Sequence, residues 1–461
     1  MQAPKILFEH GTLIIHAQDW TQAIESQLSN FFQYDQRVFL YRAKAYYYRR
    51  AILNLHQNNI PFKDEVKAFT EQNFKPTKIF TSRHYQDEAL NAWLSAGKRG
   101  CVILPTGAGK TFFAMKCIEK VKRNTLILVP TLHLMDQWVK NIHDYFGVHV
   151  GRLGGGEKDL QAITVSTYDS AYLSMEYHGN KFGFLIADEA HHLPGNQYKM
   201  IAEMSIAPFR LGLTATPERS DGRESLLYHY MGQVVYQQSI GQLKGQYLSH
   251  YKTKCIEVEL DPEEQNIYDT YRKQYLTFID KNNINFGNGS TWEDFIKICF
   301  RQPEGRKVYE AFLQSKKLCR QSSEKFKQIF SLMIKHKNDK ILIFTEDNTT
   351  AYDLGEKFLL PVLTHQTPKS ERTEFLNGFK TNQYKILVTS KVLNEGVDVP
   401  EANIAIIVSG SSSKREHVQR LGRILRKQEG KSALLYELIT KNTSEKWQSR
   451  NRRQHEAYKY S

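Results

Sequence analysis

The sequence predicts an α/β protein: two halves built on parallel sheets, a small α+β domain before them and a helical insertion between them. Two stretches of the chain alternate short apolar strands with helical segments, which is typical of a parallel sheet covered by helices. A third stretch, residues 261–335, is charged and has almost no strand pattern. The chain of 461 residues is 41% hydrophobic and 24% charged, which is the composition of a globular protein and not of a disordered one.

Residues 1–78 form the first predicted domain. Residues 5–15 contain two β-prone runs around a glycine, which predicts a hairpin. Residues 42–59 carry apolar side chains at helical spacing, with a run of tyrosines and arginines at 46–50 near the start. These aromatic and basic side chains either stack on unpaired bases and contact phosphates, or divide between the core and a solvated face.

The two α/β halves are predicted at residues 79–240 and 336–461, and a connector with the helical insertion is predicted at 241–335. In the first half we expect strands at 101–104, 126–129, 163–165, 184–187 and 211–213. In the second half we expect strands at 341–344, 362–364, 386–388, 404–408 and 434–438.

The composition argues against several classes of protein. The longest apolar runs have the length of a strand and fall far short of the ~20 residues that a membrane span needs. The N-terminal residues lack the apolar core and cleavage site of a signal peptide. The five cysteines are scattered, which disfavours a zinc site, an iron–sulfur cluster or a disulfide framework. We therefore expect a reduced, intracellular protein of the cytoplasm with no membrane partner. The net charge of +14 makes an acidic partner such as nucleic acid worth considering.

The strongest motif is Leu104-Pro-Thr-Gly-Ala-Gly-Lys-Thr111, which follows a predicted strand and opens a helix. This is the context of a phosphate-binding loop, whose glycines let backbone N–H groups point at phosphate oxygens. The Lys110 charge would reach the β- and γ-phosphates, and the Thr111 hydroxyl would ligate Mg²⁺. The candidate nucleotide-binding residues of this loop are Pro105, Thr106, Gly107, Ala108, Gly109, Lys110 and Thr111.

Asp188 and Glu189 follow another predicted strand. Because the carboxyl ends of parallel strands face the ligand crevice, we expect Asp188 to hold Mg²⁺ and Glu189 to position and deprotonate the attacking water. His191 and His192 have no evident third ligand for a metal site, and we interpret His191 as coupling nucleotide to nucleic acid. Thr214 and Thr216, after the next strand, are candidates for linking the nucleotide state to the second half.

The second half contains the motif Gln419-Arg-Leu-Gly-Arg-Ile-Leu-Arg426, which predicts a helix with Arg423 and Arg426 on one face. Either these arginines contact the γ-phosphate, with Gln419 grouped beside them as a catalytic candidate, or the helix is a solvated basic one. Upstream, Gly396 and Asp398 suit a nucleotide or backbone contact between the halves. A phosphate loop in one half and arginines in the other imply a motor that closes on ATP.

In this order, the motifs resemble those of superfamily 2 helicases and translocases, whose two motor domains are RecA-like. The resemblance covers both α/β halves. It implies that Arg83, Tyr85 and Gln86 form the segment that reads adenine. It also implies that the following residues contact nucleic acid: Pro130, Thr131, Thr167 and Thr345.

The closer resemblance is to the XPB branch of this superfamily, especially its short archaeal members. It implies that residues 1–78 form a damage-recognition-like domain and that residues 261–335 form a helical thumb, in which Tyr271 and Arg272 are candidates for contacting DNA. The branch carries an Arg-Glu-Asp element after the Thr-Ala-Thr motif. Here that stretch reads Arg219-Ser-Asp221, so both ends of the element remain candidates for nucleic-acid contact and the middle acid is missing.

The resemblance implies an ATP- and Mg²⁺-dependent DNA motor with 3′-to-5′ polarity. It would act at junctions of single-stranded and duplex DNA, in nucleotide excision repair or transcription-linked remodelling, and it would associate with the nucleoid. Archaeal members of this type often work with a structure-specific nuclease. Two alternatives remain open: a duplex translocase or branch-migration motor that never separates strands, and a nucleic-acid-binding scaffold with a vestigial ATP site.

Overall fold

A computed structural model describes residues 3–77, 80–217, 221–243, 251–284, 286, 292–390, 402–409, 433–446 and 449–450. The described residues up to 242 form one compact unit, and those from 243 onward form a second. Each unit is described by itself below.

The first unit begins with a small domain around a five-stranded sheet. Its elements are β1 (Lys5–Glu9), β2 (Thr12–His16), α1 (Gln22–Leu28), β3 (Gln33–Asp35), β4 (Leu40–Lys44), α2 (Tyr48–Gln57) and β5 (Lys63–Asp64). The strand order is β3-β4-β2-β1-β5. The predicted hairpin is confirmed: β1 and β2 pair antiparallel around Gly11, whose φ of +73° suits glycine.

The helix predicted from residue 42 begins later than its spacing indicated. Arg42 lies on β4 and pairs with Ile14 of β2, and α2 starts at Tyr48. The prediction was wrong here because the sheet pairing of residues 40–44 outweighs their local helical spacing.

The rest of the first unit is a parallel sheet flanked by helices. Its elements are α3 (His84–Ser95), β6 (Arg99–Ile103), α4 (Lys110–Val121), β7 (Thr125–Val129), α5 (Leu132–Phe146), β8 (Gly151–Gly154), β9 (Glu157–Asp159), β10 (Ile163–Thr167), α6 (Tyr168–His178), β11 (Phe184–Asp188), α7 (Lys199–Glu203), β12 (Phe209–Thr214), α8 (Glu224–Met231), β13 (Val234–Gln237) and α9 (Ile240–Leu243). The strand order is β13-β6-β12-β11-β7-β10-β8-β9, and among the described strands of this sheet only the β8–β9 pair is antiparallel.

Three neighbouring strands of this sheet carry the predicted site residues at one edge. The parallel pairing places Asp188 of β11 beside Leu213 of β12, and Thr214 beside Ile103 of β6. All three strands therefore end together, and the phosphate loop leaves from the last residue of β6. The topology brings motifs that are distant in sequence to a single crevice.

Tyr46 connects the small N-terminal domain to this sheet. Its buried ring faces the guanidinium groups of Arg99 and Arg210 at 5.1 and 4.9 Å. Its hydroxyl donates to the carbonyl of His229 and accepts from Arg99. Tyr48 is buried as well, in the core of the N-terminal domain. For both tyrosines the structure favours packing over the stacking on bases that was the other interpretation.

The second unit combines the helical insertion with a second parallel sheet. Its elements are β14 (Tyr251–Val258), α10 (Pro262–Lys281), α11 (Trp292–Arg301), α12 (Gly305–Gln321), α13 (Ser323–Lys335), β15 (Ile341–Phe344), α14 (Asn348–Phe358), β16 (Val362–Leu363), α15 (Lys369–Lys380), β17 (Ile386–Thr389), β18 (Ile404–Ile407) and β19 (Ala433–Thr440). The strand order is β14-β19-β18-β15-β17-β16.

Residues 241–335, expected to hold only the connector and the helices, supply both a strand and a packing helix to this sheet. β14 pairs in parallel with β19 over its whole length. Helix α13 packs Phe326, Ile329 and Leu332 into the apolar cluster formed by the strands. In contrast, α10, α11 and α12 share a separate apolar cluster that includes Phe278, Phe295 and Val308. The insertion thus has a core of its own.

Candidate active site

The loop between β6 and α4 has the backbone of a phosphate cradle. Gly107 and Gly109 adopt φ values of +83° and +77°, in the left-handed region that favours glycine. A Cβ at position 109 would lie 2.7 Å from Nε2 of Gln86, at the end of a side chain that can shift, so the positive φ is what favours glycine there. Lys110 and Thr111 form the first turn of α4, where backbone N–H groups lack partners within the helix.

Tyr85 and Gln86 brace this loop from behind. The Tyr85 hydroxyl donates to the carbonyl of Ala108 at 2.7 Å, and Nε2 of Gln86 donates to the same carbonyl at 3.2 Å. Arg83 donates to the Tyr85 hydroxyl, and its backbone N–H donates to Oε1 of Gln86. The segment predicted to read adenine therefore adjoins the loop. Its contact with the base stays a prediction, and the Gln86 amide would have to exchange partners to make it.

Asp188 is a buried carboxylate fixed by two donors. The indole N–H of Trp138 donates to Oδ2 at 2.8 Å, and the backbone N–H of Glu189 donates to Oδ1 at 3.0 Å. The Tyr168 hydroxyl donates to the Asp188 carbonyl. Burial raises the pKa of the Asp188 carboxyl, and the adjacent charge of Glu189 acts in the same direction, while Lys110 opposes it. A cation bound at this carboxylate would offset both the burial of its charge and the repulsion from Glu189.

Glu189 lies opposite Lys110. Its Oε1 is 3.8 Å from the Lys110 Nζ, which also donates to the Leu104 carbonyl at 3.4 Å. The Glu189 backbone has a φ of +46°, an uncommon conformation for a side chain of this size and one that clusters at functional sites. The turn directs the carboxylate of Glu189 toward the loop, away from the strand that ends at Asp188.

His191, Thr214 and Thr216 form one buried hydrogen-bonded group. The Thr214 hydroxyl donates to the Thr216 carbonyl at 2.9 Å and accepts from the Thr216 N–H at 3.2 Å. Since that donor is already used, Nδ1 of His191, 3.2 Å from the same oxygen, must carry its proton and donate. The same Nδ1 lies 3.6 Å from Oε2 of Glu189. The three predicted coupling residues are therefore joined to the candidate base.

The residues present fit a nucleotide with Mg²⁺. In the described part of the chain the buried Thr106 hydroxyl has no hydrogen-bond partner, which suits a loop that awaits ligand oxygens. No group of three or more His, Cys, Asp or Glu side chains among the described residues forms a metal cage. Thr111 and Asp188 would hold Mg²⁺ together with substrate phosphates, because this cation is usually bound by one or two protein ligands plus phosphate oxygens.

The predicted nucleic-acid contacts lie in different environments. Thr131 and Thr167 cap helices α5 and α6, accepting from the N–H groups of Leu134 and Ser170. Pro130, which precedes Thr131, is half-buried. Thr345 is fully buried and its hydroxyl donates to the Asp347 carbonyl, so a contact with DNA would need this turn to rearrange.

Three further candidates lie at or near the surface. Tyr271 and Arg272 are half-buried on α10, and Asp221 is exposed before α8. All of these nucleic-acid contacts stay predictions. Several candidates lie outside the described residues: Arg219, Gly396, Asp398, Gln419, Arg423 and Arg426.

Sequence reasoning missed Trp138 and Tyr168, the two aromatic donors to Asp188. Trp138 lies on the buried face of α5 with Met135, Ile142 and Tyr145, so its helical spacing indicated core packing. Nothing in that spacing shows that an indole N–H meets a carboxylate from another strand. The one available signal is that a buried tryptophan usually finds a hydrogen-bond partner.

Comparisons with known families match the chain in three consecutive parts. Residues 6–66 match the Xeroderma pigmentosum group B helicase damage recognition domain. Residues 79–219 match the family described as type III restriction enzyme, res subunit. Residues 305–459 match the ERCC3/RAD25/XPB C-terminal helicase family. In the described part of the chain, no helix is both long and apolar enough to cross a membrane.

Individual proteins give the same assignment. The chain is 40% identical over 427 residues to the DNA 3′-5′ translocase XPB2 of Sulfurisphaera tokodaii, which covers 91% of this chain and 94% of that protein. It is 29% identical to the DNA 3′-5′ helicase XPB of Mycobacterium tuberculosis over 78% of this chain, but it spans only 61% of that protein.

Among solved structures, the Hef helicase domain of Pyrococcus furiosus matches 79% of this chain and 97% of its own, with a TM-score of 0.52 and 18% identity. At this identity the match shows the fold alone, and it confirms the predicted α/β fold with RecA-like domains. The similarity to the archaeal translocase extends over nearly the whole length of both sequences. The chain therefore belongs to the XPB family of DNA helicases and translocases.

Proposed function

We propose that this chain is an ATP-dependent DNA motor with 3′-to-5′ polarity, which couples ATP hydrolysis to opening of DNA or translocation along it in excision repair or transcription-linked remodelling. The observation that carries the proposal is the meeting of Lys110 and Glu189 at 3.8 Å, beside the buried Asp188. A phosphate-binding lysine, a metal-binding carboxylate and a general base are what ATP hydrolysis requires. Membership of the XPB family supports DNA as the partner that stimulates it.

Each residue of the site has a distinct part in this proposal. Lys110 and the N–H groups of the loop bind the β- and γ-phosphates. Mg²⁺, held by Thr111 and Asp188, would neutralise charge on the phosphate oxygens. Glu189 orients the attacking water and accepts its proton. When Lys110 turns to the phosphates, Glu189 loses the cation that lies 3.8 Å from its Oε1 and becomes a better proton acceptor.

The state of the nucleotide would be transmitted through His191. This imidazole lies between Glu189 and Thr214, so a proton gained or a bond exchanged at Glu189 changes what Thr214 and Thr216 contact. Thr214 ends β12, Thr216 follows it, and both precede the segment that contains Arg219 and Asp221. We propose that this path links ATP chemistry to DNA contacts. Arg423 and Arg426, with Gln419, would complete the site at the γ-phosphate, and Gly396 and Asp398 would adjoin it.

The partners follow from charge and family. A net charge of +14 favours binding along a phosphate backbone, which makes the affinity sensitive to salt. We propose that the substrate is a junction of single-stranded and duplex DNA and that residues 1–78 recognise it in part. We also propose that residues 261–335 act as a thumb. We further propose a structure-specific nuclease as protein partner and association with the nucleoid, on the strength of the resemblance to archaeal XPB proteins.

The direct test measures ATP turnover with and without DNA, together with strand separation of a duplex that carries a 3′ tail. The proposal expects turnover that DNA stimulates and separation that requires ATP and Mg²⁺. A chain that hydrolyses no ATP in the presence of DNA contradicts the motor assignment and would favour the scaffold with a vestigial ATP site.

The second candidate is a duplex translocase that never separates strands. It is favoured by the similarity to the Sulfurisphaera tokodaii protein, which is named a translocase, and by the match of residues 79–219 to a restriction-enzyme family. Displacement of a triplex-forming strand from duplex DNA, without separation of the tailed substrate, would support this candidate over a helicase.

A further inference from the structure

A cleft of about 1280 Å³ lies within the second unit, between the helical insertion and the second sheet. Its walls are helices α10, α11 and α12 on one side and the turns after β15 and β19 on the other. Binding sites for small molecules occupy roughly 300–1000 Å³, so this cleft has room for more than one nucleotide. No residue of the ATP site lines it.

Helix α12 lines the cleft with a stripe of side chains four residues apart: Phe312, Lys316 and Arg320. Such a spacing places all three on the same helical face. Arg320 donates to Oε2 of Glu346 at 2.6 Å and to Oδ2 of Asp347 at 3.1 Å. Both acids among the described lining residues accept from this arginine, which ties α12 to the turn after β15. Four cations line the cleft against these two acids, so the described lining keeps a net positive charge.

The remaining cations of the cleft have no such acidic partner. Arg272, Lys316 and Lys317 form no salt bridge with any acid in the described part of the chain, and Lys316 donates instead to the Ser444 hydroxyl at 3.1 Å. Three positive side chains around a cleft whose acids are already paired favour an anionic ligand with several charges.

An aromatic wall stands beside these cations. Trp292, the first residue of α11, is 40% exposed, and its ring lies 4.6 Å from that of Phe312. The ring also lies 4.8 Å from Phe295 and 6.2 Å from Phe286, so Trp292 is held at the edge of an aromatic cluster. Its exposed part offers apolar surface against which a planar group can pack. Aromatic faces next to lysines and arginines are typical of sites for single-stranded nucleic acid, where bases stack and phosphates follow the cations.

We propose that this cleft binds a short stretch of single-stranded DNA, with a base stacked on Trp292 and backbone phosphates near Lys316, Lys317 and Arg272. The proposal rests on the function proposed above, because a DNA motor is what delivers a single strand to the helical insertion. The proposed binding site for this DNA strand lies entirely within the second unit. The alternative ligand with the same chemistry, a free nucleotide, is distinguished by the test.

The test uses the full chain and a fluorescently labelled oligo(dT) in a titration of binding affinity. Trp292→Ala should weaken binding by about fivefold to a hundredfold, the range found for removal of one stacking side chain. The matched control is Phe300→Ala, because Phe300 lies on the same helix, is 66% exposed and does not line the cleft. Equal affinities of these two variants would overturn the proposal.

A second pair of variants guards against a folding defect in Trp292→Ala. Lys317 and Lys307 are both exposed on α12, and only Lys317 lines the cleft. Lys317→Glu should weaken binding and lower the slope of log affinity against log salt by about one, while Lys307→Glu leaves both unchanged. Equal salt slopes for the two variants would contradict a phosphate contact at Lys317.

Photocrosslinking locates the base. An oligonucleotide containing 5-iodo-deoxyuridine should crosslink to Trp292. If 5-iodo-deoxyuridine monophosphate crosslinks there equally well at the same concentration, the cleft is a nucleotide site and the proposal of a single-strand site is overturned. If the oligonucleotide crosslinks at Trp292 but DNA does not stimulate ATP turnover of the unmodified chain, the cleft stands and the motor function fails. If DNA stimulates turnover and Trp292 is not crosslinked, the motor function stands and the single-strand site in the cleft fails.

Discussion

The indole N–H of Trp138 donates a 2.8 Å hydrogen bond to Oδ2 of Asp188. Because the backbone N–H of Glu189 holds Oδ1, both carboxylate oxygens are fixed by neutral donors before any cation arrives. Neutral donors stabilise the ionised carboxylate but leave its negative charge uncompensated, so the carboxylate can still bind Mg²⁺. Trp138 is therefore a positioning residue for the proposed metal ligand.

Trp138→Phe should raise the Mg²⁺ concentration needed for half-maximal ATP turnover by about 10- to 100-fold, the usual effect of removing a partner of a metal ligand. Phenylalanine keeps most of the buried ring and removes only the donor. The control is Trp93→Phe, because Trp93 is fully buried and also donates, to the Arg210 carbonyl. Identical Mg²⁺ curves for the two variants would mean that the Trp138 bond is structural.

Lys110→Ala should abolish ATP turnover while DNA binding persists, because the lysine is the side-chain cation that reaches the phosphates in the proposed site. Turnover is measured by phosphate release and DNA binding by fluorescence anisotropy. Lys120→Ala, at the exposed end of the same helix, should leave turnover unchanged. Normal hydrolysis by Lys110→Ala would remove the loop from the active site.

Glu189→Gln should bind ATP and hydrolyse it about 10²- to 10⁴-fold more slowly, the range expected when a general base is lost. The amide is nearly the same size and cannot accept the proton of water. Single-turnover kinetics separate binding from hydrolysis. Unaltered single-turnover rates would exclude Glu189 as the base and direct attention to His191.

Tyr46→Ala should destabilise the first unit by about 3–5 kcal/mol, since a buried aromatic ring is lost and Arg99 and Arg210 lose the ring that both of them contact. Tyr46→Phe keeps the ring and should cost only about 1 kcal/mol for the lost hydroxyl bonds. Urea unfolding measures both changes. A deletion of residues 1–78 would uncover the same arginines, so preference for damaged DNA is better tested with point variants of that domain.

Lys325→Met should destabilise the second unit by about 3–5 kcal/mol, because Glu445 would be left charged without its partner in a buried position. The Lys325 Nζ lies 2.7 Å from both Oε2 of Glu445 and the Cys319 carbonyl. The matched control is Lys327→Met, which breaks an exposed pair with Glu324 on the same helix and should change stability little. Equal unfolding midpoints would show that water reaches the Lys325 pair.

Local patterns predicted the strands that are apolar throughout and missed elements defined by distant partners. The predicted strands at 341–344 and 184–187 match β15 and most of β11, because both faces of a central parallel strand are buried. β14 was missed because the consecutive polar residues Lys252, Thr253 and Lys254 leave it with neither an apolar run nor a polar–apolar alternation.

The site shows the same division. The positions of Lys110, Asp188 and Glu189 followed from motifs placed after strands. The contacts of Trp138 with Asp188 and of Tyr46 with Arg210 join residues far apart in the chain, and no spacing in either segment indicates them.

The pairing of β14 with β19 has a consequence for biosynthesis. β14 leaves the ribosome before the whole helical insertion, whereas its partner β19 is made only after the insertion and after strands β15 to β18 of the same sheet. Helices α10–α12 have their own apolar cluster and can fold in this interval. The backbone N–H and C=O groups of β14 that pair with β19 stay unpaired until β19 has been made. The exposed Lys252 and Lys254 are the kind of residue that keeps a waiting edge from pairing with other nascent chains. Translation thus leaves the second sheet incomplete until β19 emerges.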